Sequence, residues 1–435
     1  MSERRVLVVG AGPAGLCASL DLAAAGLAVV LVDRAPRLGG AVYPERVTAH
    51  SGPPAAYPQG KALIAAIRAQ ANRIDIRTGT TFAGIDGGGT VALTGAHGLM
   101  LRPAAVILAT GARELVQPRP GWTLPGVTTV GAVQVALKTA GQVPEGAMAI
   151  AGSGPLLYAL GAQLARAGRP PLAVIDAAHP ARHPLQVLRL PLPVLREAVG
   201  YLLTLRRAGV PVLSGTHLAQ IAQEAGRLRL TLDRSGRMRE IVADRVALHD
   251  GIATNDYGQT GAAPIPLVAA GDCNEVLGRF GAAEDGRRAA AAVITALGRG
   301  APGARDWRLT PYRVAQTALA KMFAHDGRDR LARLPDDTVI CRCENRTLAD
   351  LSGMAPEERT PRLLRLTGRF GMGPCQGRGC LDWVAALADT GRPPADFMGD
   401  VRGARWPVAP IPIADLLAAE DSMDGPMTMQ KDTHP

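Results

Sequence analysis

The sequence predicts an α/β chain: two doubly wound βαβ modules, one inserted in the other, followed by a small α+β or helical cysteine-bearing domain. Three observations predict it. An apolar strand at 4–10 runs straight into Gly10-Ala11-Gly12-Pro13-Ala14-Gly15 and a helix. A strand, glycine turn and helix of the same design recur at 147–167. Four of the six cysteines fall within forty residues, at 341, 343, 375 and 380.

The chain's 435 residues are enough for about three domains. At 47% apolar it can bury a sizeable core, which excludes a wholly disordered chain. The net charge of +10 comes from scattered arginines, with lysine only at 61, 138, 321 and 431. No basic stripe forms and aromatics are 3%, so nucleic acid is not an expected partner. The apolar N-terminus has no cleavage-site pattern and is not read as a signal peptide. The least polar stretch, 146–165, is broken by Gly-Ser-Gly-Pro, so no transmembrane segment is expected. The expected location is cytoplasmic, with peripheral association with the inner membrane as a variant of it.

Residues 4–10 (RRVLVVG) read as a short buried parallel strand, 13–25 as a helix ended by Gly26, and 27–33 as a second strand. Residues 61–72 look helical and 104–109 form another apolar strand; Pro and Gly at 118–127 mark a boundary. In the second unit 147–152 is a strand, 155–167 a helix and 172–176 a strand. Residues 264–298 return to the first style, an apolar strand before an alanine-rich helix. The expected division is therefore 1–118 with 246–300 as the first module and 119–245 as the insert. Residues 301–337 follow as a linker, then 338–391 as the cysteine domain. The tail, 392–435, carries Pro393, Pro394, Pro407, Pro410 and Pro412 and should run extended, on the body or on a partner.

Gly10, Gly12 and Gly15 form a G-x-G-x-x-G turn directly after a strand, with Pro13 and Ala14 opening the helix. The first glycine permits the tight turn. The second lets backbone approach a pyrophosphate, and the third lets helix and strand pack closely. The helix N-terminus offers amides and a positive dipole end to phosphates. Asp33 ends the next strand, where a carboxylate can bind ribose hydroxyls. In the second unit Gly152 and Gly154 are present, but Leu157 stands where the third glycine would be; Asp176 ends its next strand. A nucleotide pocket and a retained structural shell are both open readings there. No cysteine occurs in 36–50, which argues against thiol–disulfide exchange at that loop. No catalytic constellation of His, Ser or acid is readable. Cys17 and Cys273 read as packing residues. His179 and His183 sit among prolines, and metal binding there is the minority reading.

Cys341, Cys343, Cys375 and Cys380, as C-x-C and C-x4-C, can hold an iron–sulfur cluster or zinc. C-x-C is tight for a zinc knuckle, and the glycines around Cys375 let amides approach sulfur.

Ala109-Thr110-Gly111-Ala112 after one apolar strand and Gly271-Asp272 after another resemble the two-dinucleotide-binding flavoproteins. The resemblance implies FAD in the first module, with Thr110 and Gly111 passing near it and Asp272 on its ribityl chain. Arg34, Gly39 and Gly40 resemble the loop beside FAD. In related reductases the second module, here Gly152, Gly154 and Asp176, binds NAD(P)H; another adenine nucleotide is an alternative. The cysteine stretch with the following LDWVAALAD resembles bacterioferritin-associated-ferredoxin 2Fe-2S modules, which makes the four cysteines its ligands. The whole order, with PGWTLPGV at 120–127 and GMGPCQGRGC at 371–380, resembles the electron-transfer subunit of bacterial heteromeric amine and amino-acid dehydrogenases, of the opine oxidase, proline or hydroxyproline dehydrogenase and hydrogen cyanide synthase type. That resemblance implies a D-amino-acid-oxidase-like flavoprotein partner and, in some members, FMN at an interface between chains and a small ferredoxin-like subunit. It implies no catalytic residue in this chain. The alternatives are a stand-alone NAD(P)H-dependent FAD/2Fe-2S reductase and a zinc-stabilised, redox-silent assembly subunit.

Overall fold

The structure is a computed structural model that describes residues 5–46, 58–255, 263–300, 306–388, 406–408, 410–415 and 417. The first module is built on a five-stranded sheet in the order Leu267–Ala269, Ala105–Leu108, Val6–Val9, Val29–Asp33, Ile74–Thr78. All its pairings are parallel. The central strands are Val- and Leu-rich at every position because both faces are covered. Val6, Val8, Leu31 and Ile107 point to one face, under the helices Pro13–Ala24 and Gly278–Ala296. Leu7, Val9, Val30 and Val32 point to the other, under an antiparallel sheet of Thr80–Ile85, Val91–Gly95 and Leu99–Leu101. Strand alternation thus divides the residues between two cores.

The return of the chain at 264–298 belongs to this module, as the sequence implies. Its long helix docks on the first glycine helix at Gly286. A Cβ there would overlap the carbonyl oxygen of Ala14 and lie 2.8 Å from its Cα.

The insert has its own parallel sheet, ordered Val212–Ser214, Ala173–Asp176, Met148–Gly152, Arg245–His249, Val127–Thr129. The boundary expected at 245/246 falls inside the strand Arg245–His249. That strand pairs in parallel with Met148–Gly152, so the insert runs on to His249. The chain then re-enters the first module through Ile252–Thr254, which pairs antiparallel with Ala112–Glu114. Exit and re-entry therefore lie side by side. A meander of His217–Glu224, Arg227–Arg234 and Arg237–Ala243 also belongs to the insert. It buries Leu228, Leu230 and Leu232 on one face and leaves Arg227 and Arg229 outside or at the edge.

The segment expected as a linker carries the helices Thr310–Met322 and Gly327–Leu331. Ala315, Ala318 and Met322 form the buried stripe of the first, which is why it packs rather than hangs free. The cysteine domain has a hairpin, Val339–Cys341 with Arg346–Thr347, and the helices Leu348–Ser352, Pro361–Leu366 and Leu381–Leu387. Its separate core contains Ile340, Leu351, Leu364, Phe370, Leu381 and Val384. Pro393 and Pro394 lie outside the described residues. The described part of the tail lies on the first module: Val408 N donates to Ala83 O (2.8 Å), and Asp415 Oδ2 accepts from Gly95 N (3.0 Å).

Gly286→Ala forces the two helices apart and is expected to destabilise the first module by about 1–3 kcal/mol. Urea unfolding should show that loss.

Candidate cofactor sites

The first glycine turn is set by contacts that leave no room for side chains. Gly10, at φ +105°, backs onto Ala109, and a Cβ there would overlap the Ala109 carbonyl oxygen. A Cβ at Gly15 would overlap the carbonyl oxygen of Gly10. A Cβ on Gly12 would meet nothing within 4 Å, so this face of the turn is open. Pro13 stands at the first helical position, where its missing N–H costs nothing. The loop after Asp33 folds back over the turn: Gly39 N donates to Ala11 O (2.9 Å), and a Cβ on Gly40, at φ +59°, would lie 2.9 Å from Gly12 Cα. Arg34 is exposed at the rim.

Asp33 is buried and accepts from Ala11 N (2.6 Å) on one oxygen and from Ala35 N (2.8 Å) on the other. Burial pushes its carboxyl up, and the two amides oppose that. A carboxylate has about four acceptor sites, so it can hold the turn and still receive two ribose hydroxyls. Thr110 Oγ1 donates to Asn255 O (2.5 Å) and lies 3.1 Å from Cys273 Sγ; Gly111 follows at φ +72°. This ties the Ala109–Ala112 segment to the re-entering chain. Asp272 Oδ1 accepts from Leu277 N (2.9 Å) and Gly278 N (3.1 Å), fixing the start of the long helix. Gly271 N donates to the fully buried Asp285 (2.8 Å). The residues expected around FAD thus surround one open turn.

The second turn is more closed. Gly152, at φ +139°, packs on the backbone of His249, and Gly154, at φ +124°, lies against its ring. Leu157 is fully buried in the core of the insert with Val130, Val133 and Leu160. The close approach of helix to sheet is made four residues later, at Gly161, whose Cβ would lie 3.1 Å from Val174 Cγ2. Ser153 Oγ donates to Phe323 O (3.0 Å), at the end of the helix Thr310–Met322, and the Phe323 ring meets Tyr158 edge-on at 6.1 Å. Asp176 is fully buried, accepting from Tyr158 Oη (2.7 Å) and Ala178 N (2.9 Å). Burial raises its carboxyl to about 6.

The four cysteines are free thiols in two pairs. Cys341 hydrogen-bonds with Cys380, and Cys343 with Cys375. Cys341 is held down to about 6, first by the Cys380 thiol, with burial opposing and the Gly371 and Glu344 amides assisting. Cys380 is pushed up by the same bond and by burial; Cys343 is raised mainly by burial. Among the described residues, no three of these sulfurs lie within 4.8 Å of one another. Four thiolates around one tetrahedral zinc would all be close neighbours, whereas a two-iron cluster takes two on each iron. Paired sulfurs with amides aimed at them fit the second arrangement.

Sequence reasoning missed the residues that bring these sites together. Arg113, two residues past Gly111, donates to Arg378 O (2.6 Å) and to Asp382 Oδ2 (2.5 Å), between and just after Cys375 and Cys380. Trp122 Nε1 donates to Val339 O (2.7 Å), next to the Cys341 hairpin. Lys138 Nζ reaches Ala41 O (3.3 Å) from the insert, and burial lowers it to about 8. His217 Nε2 meets Asp326 Oδ1 (2.9 Å), and Arg330 joins Asp326 to Asp233, fastening the linker to the meander. Cys17 and Cys273 are buried, as packing residues should be, and burial raises Cys17 to about 11. His179 and His183 flank a 3-10 turn at Pro180–Arg182.

The family model for pyridine nucleotide-disulphide oxidoreductases matches residues 4–274. The chain belongs to that family. An opine oxidase subunit of Agrobacterium tumefaciens (strain Ach5) is 32% identical over 94% of this chain and 91% of its own length. Hydrogen cyanide synthase subunit HcnB of Pseudomonas aeruginosa is 28% identical over 94% of this chain and 97% of its own. Among solved structures, L-proline dehydrogenase from P. horikoshii shares the fold with a TM-score of 0.63, at 17% identity over 95% of this chain and 79% of that one. As a member of the family, the protein is an FAD-dependent oxidoreductase with Rossmann-like modules. No helix among the described residues is long and apolar enough to cross a membrane.

Because Asp176 is raised from 3.8 to about 6, the folded chain binds its proton more tightly than the unfolded chain does. This contribution is full below about pH 4 and is lost as pH rises through about 6. Asp176→Asn removes it. The stability difference between variant and parent should shift in the variant's favour by about 3 kcal/mol from acid to neutral pH, read by urea unfolding.

Proposed function

We propose that this chain is the flavin and iron–sulfur electron-transfer subunit of a heteromeric amine or amino-acid dehydrogenase of the opine, proline or hydroxyproline type. It passes electrons from an oxidase-like partner toward an external acceptor. The observation that carries the reading is the Arg113 contact: one side chain on the FAD-side strand Ala112–Glu114 grips the loop and helix that carry Cys375 and Cys380. The names of the relatives support the substrate class, and their designation as subunits supports a partner.

When bound, FAD would supply two-electron chemistry and a 2Fe-2S cluster one-electron chemistry. The chain's own residues bind and position. Gly12 and the amides opening the helix Pro13–Ala24 present the pyrophosphate platform, and Asp33 takes the ribose. Asp272 holds the ribityl chain at the start of the long helix. Cys341, Cys343, Cys375 and Cys380 would hold a 2Fe-2S cluster through their four thiolates. The Gly371 and Glu344 amides stabilise the charge on Cys341. Arg113, with side-chain exposure of only 11%, fixes the spacing between the two centres.

In the second module Asp176 is already committed to Tyr158 and Ser153 to Phe323. That supports a structural shell over a nicotinamide site. The loop at 36–46 brings no cysteine to the flavin side, which supports an exit for electrons through the separate cysteine domain.

Co-expression with neighbouring gene products should yield a yellow-brown complex containing iron. Cys375→Ala is expected to lose the iron and all dye-reducing turnover while keeping FAD; full turnover in that variant overturns the relay. Arg113→Ala should retain both chromophores but slow cluster reduction, followed by stopped flow, by about 10- to 100-fold through lost positioning.

A further inference from the structure

The insert presents an apolar surface that nothing described covers. It is formed by the short helix Pro184–Val187 and the helix Leu192–Arg207. Of the sixteen residues in the longer helix only Leu205 is fully buried. Leu188 is 83% exposed, Leu192 66% and Leu202 50%, and Leu185, Val199 and Leu203 are exposed beside them. Positions 192, 199 and 203 are spaced i, i+7, i+11, which places them along one helical face. Scattered surface leucines need no explanation, but six exposed aliphatic side chains within nineteen residues are a concentration of the kind that marks an interaction site.

The patch is rimmed by charge of one sign. Arg182, Arg189, Arg196, Arg206 and Arg207 are all exposed. The one acid between 177 and 223 is Glu197, and it is committed to Arg279 (2.8 Å). That ion pair also anchors the helix. Arg279 lies in the first turn of the helix whose start is fixed by Asp272, and Lys138, reaching Ala41 of the loop folded over the first glycine turn, feels the same pair. The ion pair thus holds the inner side of the helix Leu192–Arg207 against the first module, and the line of Leu192, Val199 and Leu203 faces outward on the opposite side.

From this we propose that the surface of 184–207 is the docking site for a folded protein partner with an apolar centre and a carboxylate rim. The inference rests on the heteromeric reading above and assigns its interface. A second copy of this chain fits poorly, because its five arginines would meet five others with no acid to answer them. A lipid surface fits less well than a protein. No exposed aromatic stands on this face: Tyr201, the one aromatic of 184–207, is half-buried on the inner side of the helix and donates to Glu197 (3.1 Å). Arginine around an apolar centre is, by contrast, common at protein interfaces.

The test uses the full-length holoprotein and the flavoprotein subunit that co-purifies with it. Leu192→Gln combined with Leu203→Gln should keep the FAD content and melting temperature of the parent. It should weaken the complex by about 100-fold, a tenfold loss for each side chain. Arg196→Glu with Arg206→Glu should slow association and flatten its salt dependence. Unchanged affinity in both variants overturns the surface while leaving the heteromer standing; a parent chain that retains no partner overturns both. Binding of the parent to phosphatidylglycerol vesicles that the leucine variant abolishes overturns it in favour of a membrane. A dimer of the free chain that the same variant disperses overturns it in favour of self-association.

Discussion

The first module depends on backbone meeting backbone without side chains between. At Gly10 the turn lies on the carbonyl of Ala109, at Gly15 the helix lies on Gly10, and at Gly286 the returning helix lies on Ala14. Each contact is closer than any Cβ permits. Together they bring the helix N-terminus, the Ala109–Ala112 segment and the Gly271-Asp272 turn to one place, although these segments are far apart in sequence. The open space at Gly12 is meaningful because everything around it is tight. A phosphate can reach the amides there only because the neighbouring glycines have fixed the turn.

The insert is attached in a way that preserves this arrangement. The chain leaves along Ala112–Glu114 and returns along Ile252–Thr254, paired with one another, so more than a hundred intervening residues place no strain on the first sheet. The same crossing point positions Arg113. Its guanidinium reaches the cysteine domain from the strand that begins just past Gly111. Thr110 bonds to the re-entering chain at Asn255, and Glu114, at the far end of the same strand, meets His249 of the insert (2.7 Å). Three parts of the molecule are thus joined within a few residues of the Ala109-Thr110-Gly111 segment.

The two glycine turns show how similar motifs diverge. In the first, Asp33 divides its oxygens between two amides and retains acceptor capacity. In the second, Asp176 is shut in by Tyr158, and Ser153 is held by the carbonyl of Phe323. Leu157 does not distort the second module, because Gly161 supplies the close approach one turn further along the helix. A helix that the sequence suggested was a linker covers this turn, so the module serves as a platform for the chain's own later segments.

Local pattern sufficed for much of the fold. The valine-rich strands, the glycine turns, the helix after Cys380 and the return of the chain at 264–298 are written in short stretches, since burial on two faces and close backbone approach each demand particular residues nearby. The four cysteines stand out in the sequence as two close pairs for the same reason. Their pairing in space was not legible: C-x-C spacing does not say that Cys341 faces Cys380 rather than Cys343. Nor did spacing indicate Arg113, Trp122 or Lys138, whose partners lie 269, 217 and 97 residues away. An arginine or lysine carries no mark of its partner in its own neighbourhood. The end of the insert at His249 and the exposure of the leucines at 185–203 also depend on which surfaces meet. Short-range sterics determined the elements and their turns; packing between segments distant in sequence decided how the sites are brought together.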